Sequence, residues 1–495
     1  MNVLFVLRRP GTLRSYAATI RLLAERGHTV DIRFSRLRDK SMGPEELGPA
    51  RGLAERFPSV TYEEAPGRDP ADGWARIAKT VRTWGDFARY VHPRFADAPL
   101  LKERAAHKAK RRFRDSRAMD RMVDRIGART SARRADALEG LFRRMEDAIP
   151  PSGELAAWLR EQGYDVVLVS PLVDHDSDQA DVVKAAQAAG IPTGALIASW
   201  DNLSTKGVIR ARPDRVFVWN ETQRQEAAEM HGVPPERVVV TGAPRFDPWF
   251  ARTPSRARED FLAEVGLPPG RPYVLYLCSS PFIAPDEPPF IRRWVEAVRA
   301  AIDVEILVRP YPQNAHVWDG VDVGAPVWPR EGHYVDDESS AADFYDAIAH
   351  SAVVVGINTS ALIEAAIAGK NVLTVAGEDF AGTQRGTLHY HYLLYENGGF
   401  LREARTLPEH VQQLRAALEG AEADLEQTRR FVESFVRPLG PEVEASAALA
   451  DEIETLASQQ ASAAPRRGLS AVVLRAPLGG LAAARRRRYR RAARP

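Results

Sequence analysis

The chain has 495 residues, 44% hydrophobic and 27% charged, which is ordinary globular usage and excludes a mostly disordered chain, a collagen-like chain or a coiled-coil rod. A single cysteine, Cys278, excludes an internal disulfide framework, argues against a cysteine-built metal centre and fits a reducing cytoplasm. The formal net charge of +2 conceals two basic arms: 102–134 carries 13 Lys/Arg against 4 Asp/Glu, 460–495 carries 10 Arg and no acid, and the remainder nets −17.

The chain opens as a βαβ unit. VLFVL (3–7) is the continuous apolar run of a strand buried on both faces. A turn with Pro10 and Gly11 follows. Leu13, Tyr16, Ile20 and Leu23 then recur at helical spacing, and TVDIRF (29–34) reads as the next strand. Residues 70–160 break this alternation and read as a helical insertion that contains the first basic arm. Two readings of that arm are open: a solvated, salt-bridged helix face, or a face turned to a membrane or partner. Alternation resumes with strands expected at 165–170, 193–199, 215–220 and 237–242. Proline-rich sequence at 243–254 and 266–272 marks a boundary. A second set of strands follows at 273–279, 304–310, 352–358 and 371–377, with helices between them and after them. The expected domains are 1–245, 246–435, a helix at 436–459 and an Arg-rich, disordered tail at 460–495, where Pro477, Gly479 and Gly480 argue against one helix. No run of 18 apolar residues is present, so no membrane-spanning helix is expected, and the apolar run at 3–7 is too short for a secretory signal.

Open α/β sheets bind ligands beyond the carboxyl ends of their strands, so the chemistry is sought there. In VVVGINTSALIEAAIAGK (353–370) a strand ends in the polar turn Asn358, Thr359, Ser360 before a helix. Free N–H groups at that turn suit a phosphate, and Glu364, one turn on, suits a ribose diol. The alternative is an ordinary capped helix with an exposed Glu. In ASWDNLSTKG (198–207), Trp200, Asp201 and Asn202 follow a first-half strand; Asp201 is a candidate general base and Lys206 a partner for an acidic group. The alternative is a local Asx turn. Arg245 in TGAPRFD and Arg309 in VRPYPQN are candidate diphosphate ligands, and CSS (278–280) offers the Ser279 hydroxyl. The competing readings are a local Arg245–Asp247 pair and a surface Arg309. His389 and His391, two apart, would share one face of a strand in a substrate-binding loop; no third ligand nearby supports a metal site. Walker, Gly-x-Ser-x-Gly, His-Glu-x-x-His and dinucleotide fingerprints are absent from the sequence.

The Gly turn after the first strand and the block GINTSALIEAAIAGKNVLTV resemble the GT-B superfamily of glycosyltransferases. SWDNLSTKG followed by VWNETQRQEAAEMHGVPPERVVVTGAPRFD is similar to the branch of CDP-glycerol glycerophosphotransferases and related surface-polysaccharide enzymes. Where that branch carries Trp-His-Gly, this chain has Trp200–Asp201, and its second-domain His-Pro appears as Arg309–Pro310. Sugar-nucleotide 2-epimerases share the fold and a similar Ser…Glu-Ala…Gly-Lys block. The resemblance implies two Rossmann-like parallel-sheet domains facing across a cleft. It implies a metal-independent glycosyltransferase with no cofactor beyond its nucleotide-diphosphate-sugar substrate. It casts Asp201 as catalytic base. Arg245, Ser279, Arg309, Thr359, Ser360 and Glu364 would hold the donor, and Gly11, Trp200, Asn202, Lys206, His389 and His391 the substrate. A 2-epimerase-like isomerase and a non-catalytic membrane-binding scaffold are the alternatives. The basic arms lie outside the expected cleft. Their expected use is to bring a cytoplasmic protein to an anionic inner membrane surface with a lipid-linked acceptor; nucleic acid is disfavoured, because Tyr489 is the one aromatic among the tail arginines.

Overall fold

A computed structural model describes residues 1–37, 47–112, 116–128, 130–332, 337–420, 422–459 and 469–492. The chain divides into two units, 1–245 with 441–495, and 246–440. The return of residues 441–495 to the first unit follows from the apolar stripe of helix Ala445–Ser458. Its Leu449, Ala450, Ile453 and Leu456 are buried against the strand residues Val3, Phe5, Val166 and Phe217.

The first unit is a seven-stranded parallel sheet. Its strands are β1 (Asn2–Leu7), β2 (Thr29–Phe34), β3 (Val60–Glu64), β4 (Val166–Ser170), β5 (Thr193–Leu196), β6 (Arg215–Val218) and β7 (Val238–Val240), in the order β3-β2-β1-β4-β5-β6-β7. The second unit has five parallel strands, β8 (Tyr273–Leu277), β9 (Glu305–Arg309), β10 (Val353–Gly356), β11 (Asn371–Val375) and β12 (Leu401–Ala404), in the order β12-β11-β10-β8-β9. The central strands are fully buried apolar runs, as strands covered on both faces by helices must be.

The insertion is helical, and its contacts go inward. Arg82, on helix Trp74–Tyr90, is 2% exposed. It pairs with Glu146 of helix Ala132–Ala148 (2.9 Å) and with Asp181 of helix Gln179–Ala189 (2.6 Å), and Lys184 adds a bond to Glu146 at 2.7 Å. The network locks the insertion to a helix of the sheet layer. The first basic arm is partly salt-bridged, with Lys110 on Asp124 at 2.6 Å.

The expected disorder of the tail is corrected for residues 469–492; residues 460–468 and 493–495 lie outside the described residues. Leu469–Ala492 is a helix containing Pro477, and its Ala471, Leu478 and Ala482 are buried with Ile77, Ala78, Val81 and Ile149 of the insertion. Spacings of seven and four return these side chains to one helix face, so tertiary burial overrides the weak propensity of Pro477, Gly479 and Gly480. The contact is close: Gly73 has a φ of +76°, and a Cβ there would run into the Ala482 carbonyl. Among the described residues no helix is long and apolar enough to cross a membrane.

Candidate functional site

In the second unit the chain runs outward in one direction from β8 and in the other from β10. These neighbours define the topological switch point of the sheet, where open α/β folds leave a crevice. The loops after both strands meet there. The Asn358 N–H donates to Ser279 Oγ at 3.2 Å, and a Cβ on Gly356 would lie 2.8 Å from the Leu277 carbonyl oxygen, so only glycine allows the approach. Thr359 Oγ1 accepts from the Ala361 N–H (3.4 Å), and Ser360 is the N-cap of helix Ala361–Ile367, with no hydrogen bond from its side chain to the cap. Glu364, in the first turn, is 8% exposed, which removes the reading of an exposed helix carboxylate. The helix has seven residues, so its macrodipole adds little and the hydroxyl and N–H groups matter more. Gln384, wholly buried, closes the floor by donating to the carbonyls of Ile357 (3.0 Å) and Val375 (3.2 Å) at the ends of β10 and β11.

Glu287 was not singled out from the sequence. It is 1% exposed, accepts from the Ser279 N–H and the Tyr276 hydroxyl (both 2.8 Å), and so fixes the loop after β8. Burial pushes its carboxyl up to about 8, against the opposing pull of those two donors. An unfolded Glu titrates near ~4.3, so the stability from this group is complete below that value and is lost as the pH rises towards 8. The wild-type chain is expected to lose up to about 1.4 kcal/mol per pH unit across this window, and Glu287→Gln to remove that slope. Melting curves at pH 5, 6, 7 and 8 check it; parallel pH dependences in the two proteins would refute the assignment.

Other expected donor ligands are placed differently. Arg309 is 6% exposed, pairs with Asp343 at 2.8 Å and lies 5.0 Å from the Phe344 ring centre. It belongs to a partly buried ionic cluster with Arg256 and Asp346, because β9 is an edge strand and its end faces the helix Glu338–Ala349. Arg245 is half-buried in a 3-10 turn at the unit boundary, and Asp247 pairs with Arg437 at 3.2 Å. His389 and His391 do not share a strand face. Leu388–Tyr392 is a 3-10 turn, with His389 buried and His391 Nε2 2.9 Å from the Arg385 carbonyl oxygen. The strand expectation fails because turn-forming contacts, not alternation, govern this polar aromatic segment.

In the first unit the switch point lies between β1 and β4. Gly11 sits there, in the 3-10 turn Pro10–Ser15 after β1. The loop 171–178 follows β4 at the same switch point, and its Asp-His-Asp-Ser-Asp run is a dense polar signal. Arg8 binds that loop through Asp174 (3.4 Å) and Asp178, and Gln179 pins it to the Val6 and Ser170 carbonyls (2.8 and 2.7 Å).

Asp201 precedes the short helix Asn202–Thr205. Its Oδ2 accepts from Thr205 Oγ1 (2.9 Å), its Oδ1 from Asn202 Nδ2 (3.3 Å), and Asn202 Oδ1 accepts from the Ala198 N–H (3.2 Å). The local-turn reading is therefore correct in geometry. Trp200 is buried. The insertion braces this loop. Arg89 donates to the carbonyls of Leu203, Lys206 and Gly207, and the Tyr90 hydroxyl donates to the Lys206 carbonyl at 2.6 Å. His231 adds a bond to the Leu203 carbonyl at 2.8 Å. Among the described residues no cluster of three His, Cys, Asp or Glu is arranged to hold a metal ion.

No protein-family model and no curated protein matches the chain. Solved structures do. The S. aureus MnaA–UDP co-structure is 12% identical, over 93% of this chain and 99% of that one, with a TM-score of 0.51. A putative UDP-N-acetylglucosamine 2-epimerase from Listeria monocytogenes is 13% identical, over 93% and 98%, at 0.50. A glycosyltransferase from Rickettsia africae ESF-5 is 10% identical, over 93% and 99%, at 0.50. The likeness is one of fold. It agrees with the two parallel-sheet α/β domains expected from the sequence, and it assigns no residue a role.

Proposed function

We propose that the chain is a glycosyltransferase that uses a nucleoside-diphosphate sugar. The observation that carries this is the convergence, at the switch point of the second unit, of Ser279, Thr359, Ser360 and a buried Glu364. Glu364 accepts the ribose diol; the hydroxyls and N–H groups around Thr359 and Ser360 bind the diphosphate and stabilise it as it leaves. Asp201 takes the proton of the acceptor hydroxyl. Arg245 is retained in this reading as a diphosphate ligand, whereas Arg309 acts as a structural residue. The acceptor is a cell-envelope glycan or a lipid-linked intermediate, met at the inner membrane surface. The shared fold with UDP-sugar enzymes supports the nucleotide class.

A second reading has its own support. Structures of this fold include one titled a putative UDP-N-acetylglucosamine 2-epimerase, and an epimerase needs no acceptor. Incubation with UDP-, CDP- and GDP-sugars, followed by separation of the nucleotides, decides between them. A transferase is expected to release free nucleotide faster when acceptor is added. Interconversion of sugar nucleotides without acceptor would replace the transferase reading with the epimerase one, and the absence of binding by any nucleotide would overturn both.

A further inference from the structure

A cavity of about 900 Å³ lies within the first unit, beyond the ends of β2 and β4 and under two helices of the insertion. Among the described residues six cationic side chains line it: Arg36 after β2, Arg76 and Lys79 on helix Trp74–Tyr90, Lys108 and Arg111 on helix Pro99–Arg111, and Arg112. Among the described residues two carboxylates also line it, and both are engaged. Asp86 is buried, bonded to Arg210 and to the Asp176 N–H at 2.8 Å, and these contacts together with His175 overcome burial to hold it at about 2. Asp176 lies 3.8 Å from Lys79 and 4.0 Å from Arg8. Among the described residues no carboxylate pairs with Arg36, Arg76, Lys108, Arg111 or Arg112. These like charges oppose one another: Lys108 and Arg112 are held below their ordinary ranges by burial and then by Arg104 and Arg76 respectively.

His175, in the loop after β4, supplies the second observation. Its side chain is 7% exposed and lines the cavity; neither ring nitrogen makes a hydrogen bond, and Nδ1 has only a longer contact, 3.7 Å, with Asp86 Oδ2. A buried polar group without a hydrogen bond costs about 1–3 kcal/mol, which a ligand bonded to His175 would recover. The Thr83 and Ser116 side chains add hydroxyls to the wall.

We propose that this cavity is a binding site for a phosphorylated ligand, with a diphosphate or phosphodiester group held between the Arg76–Lys79 face and the Lys108–Arg111–Arg112 face and His175 bonding it from the wall. A lone carboxylate would leave most of the charge unmatched, whereas a diphosphate offers several oxygens to the guanidinium forks. The volume falls within the range of small-molecule sites and admits an organic group beyond the phosphates. The basic arm at 102–134 thereby acquires a use that neither a solvated face nor a flat membrane contact describes. The site stands independently of the nucleotide reading, which rests on the second unit.

The test is calorimetric titration of the full chain with inorganic diphosphate, with UDP titrated in parallel. The wild-type protein is expected to bind diphosphate, more weakly as salt rises, and Lys108→Gln/Arg111→Gln to weaken it at least tenfold while UDP binding and the melting temperature stay unchanged. Equal diphosphate affinity in the two proteins, or no diphosphate binding to the wild type, overturns the proposal whatever UDP does. UDP binding weakened about tenfold in Glu364→Gln with diphosphate binding intact upholds it. Phosphatidylglycerol vesicles separate the sources. Co-sedimentation that diphosphate displaces and the double variant abolishes assigns a lipid headgroup; diphosphate binding without co-sedimentation assigns a soluble phosphate ester. Both uphold the site.

Discussion

Arg82→Met is expected to destabilise the first unit by about 3–5 kcal/mol, the cost of removing one partner from a buried ionic network. The guanidinium is bonded to both Glu146 oxygens (2.9 and 3.0 Å) and both Asp181 oxygens (2.6 and 3.0 Å), with all three side chains almost wholly buried. Glu146 keeps Lys184 and Asp181 keeps Arg68 (3.1 Å) after the substitution, which places the loss nearer the lower figure. In a unit of this size that corresponds to a fall in Tm of roughly 5–10 °C. Lys184→Met serves as the contrast, since Glu146 then retains both Arg82 bonds and the loss is smaller. The pH dependence has a defined sign. Burial alone would raise the carboxyls of Glu146 and Asp181, but Arg82 holds both below the ordinary range. Their stabilisation is therefore present above about pH 4 and is lost as the pH falls further. Without Arg82 the burial cost dominates, so the acid-unfolding midpoint moves up. Urea melts at pH 7 and acid titrations check both; a Tm within 1–2 °C of wild type, the order of a surface substitution, would show that the network is dispensable.

Glu364→Ala is expected to raise the Kd for UDP or its sugar conjugate about 100-fold, and Glu364→Gln about tenfold. A carboxylate accepting two hydroxyls makes charge-assisted bonds worth about 1.5–3 kcal/mol, and each ~1.4 kcal/mol is a factor of ten. The amide retains one acceptor and loses the charge. Turnover with saturating donor is expected to change less than affinity, because the ribose does not react. Isothermal titration gives the affinity and initial rates give the turnover. Unchanged affinity in both variants would remove Glu364 from the nucleotide site, while a collapse of turnover at constant affinity would move it to the reacting centre.

The legibility of the sequence depended on burial. Ten of the twelve strands were expected at their positions, because a strand covered on both faces must be a continuous apolar run, as in VLFVL and VVLVS. The two missed, β3 and β12, are edge strands interrupted by charged residues, Glu63–Glu64 and Arg402–Glu403, so no apolar run announces them. The block at 353–370 was legible as a candidate site because strand, polar turn and helix are contiguous. Glu287 and Gln384 were not, since each acts on a strand end far from itself in sequence.

The sequence by itself determined two parallel-sheet domains, their boundary near residue 245, and the position of Glu364 one turn beyond a polar strand end. These depend on local periodicity and on chain neighbours. Only the tertiary structure decided the fate of charge. It turned Arg309 into an ionic cluster with Asp343, seated the tail as a helix on the insertion, and gathered Arg36, Arg76, Lys108 and Arg111 around one cavity. A charged side chain reads the same in the sequence whether it meets water, a carboxylate or another cation, and the choice among these is made by residues distant in the chain.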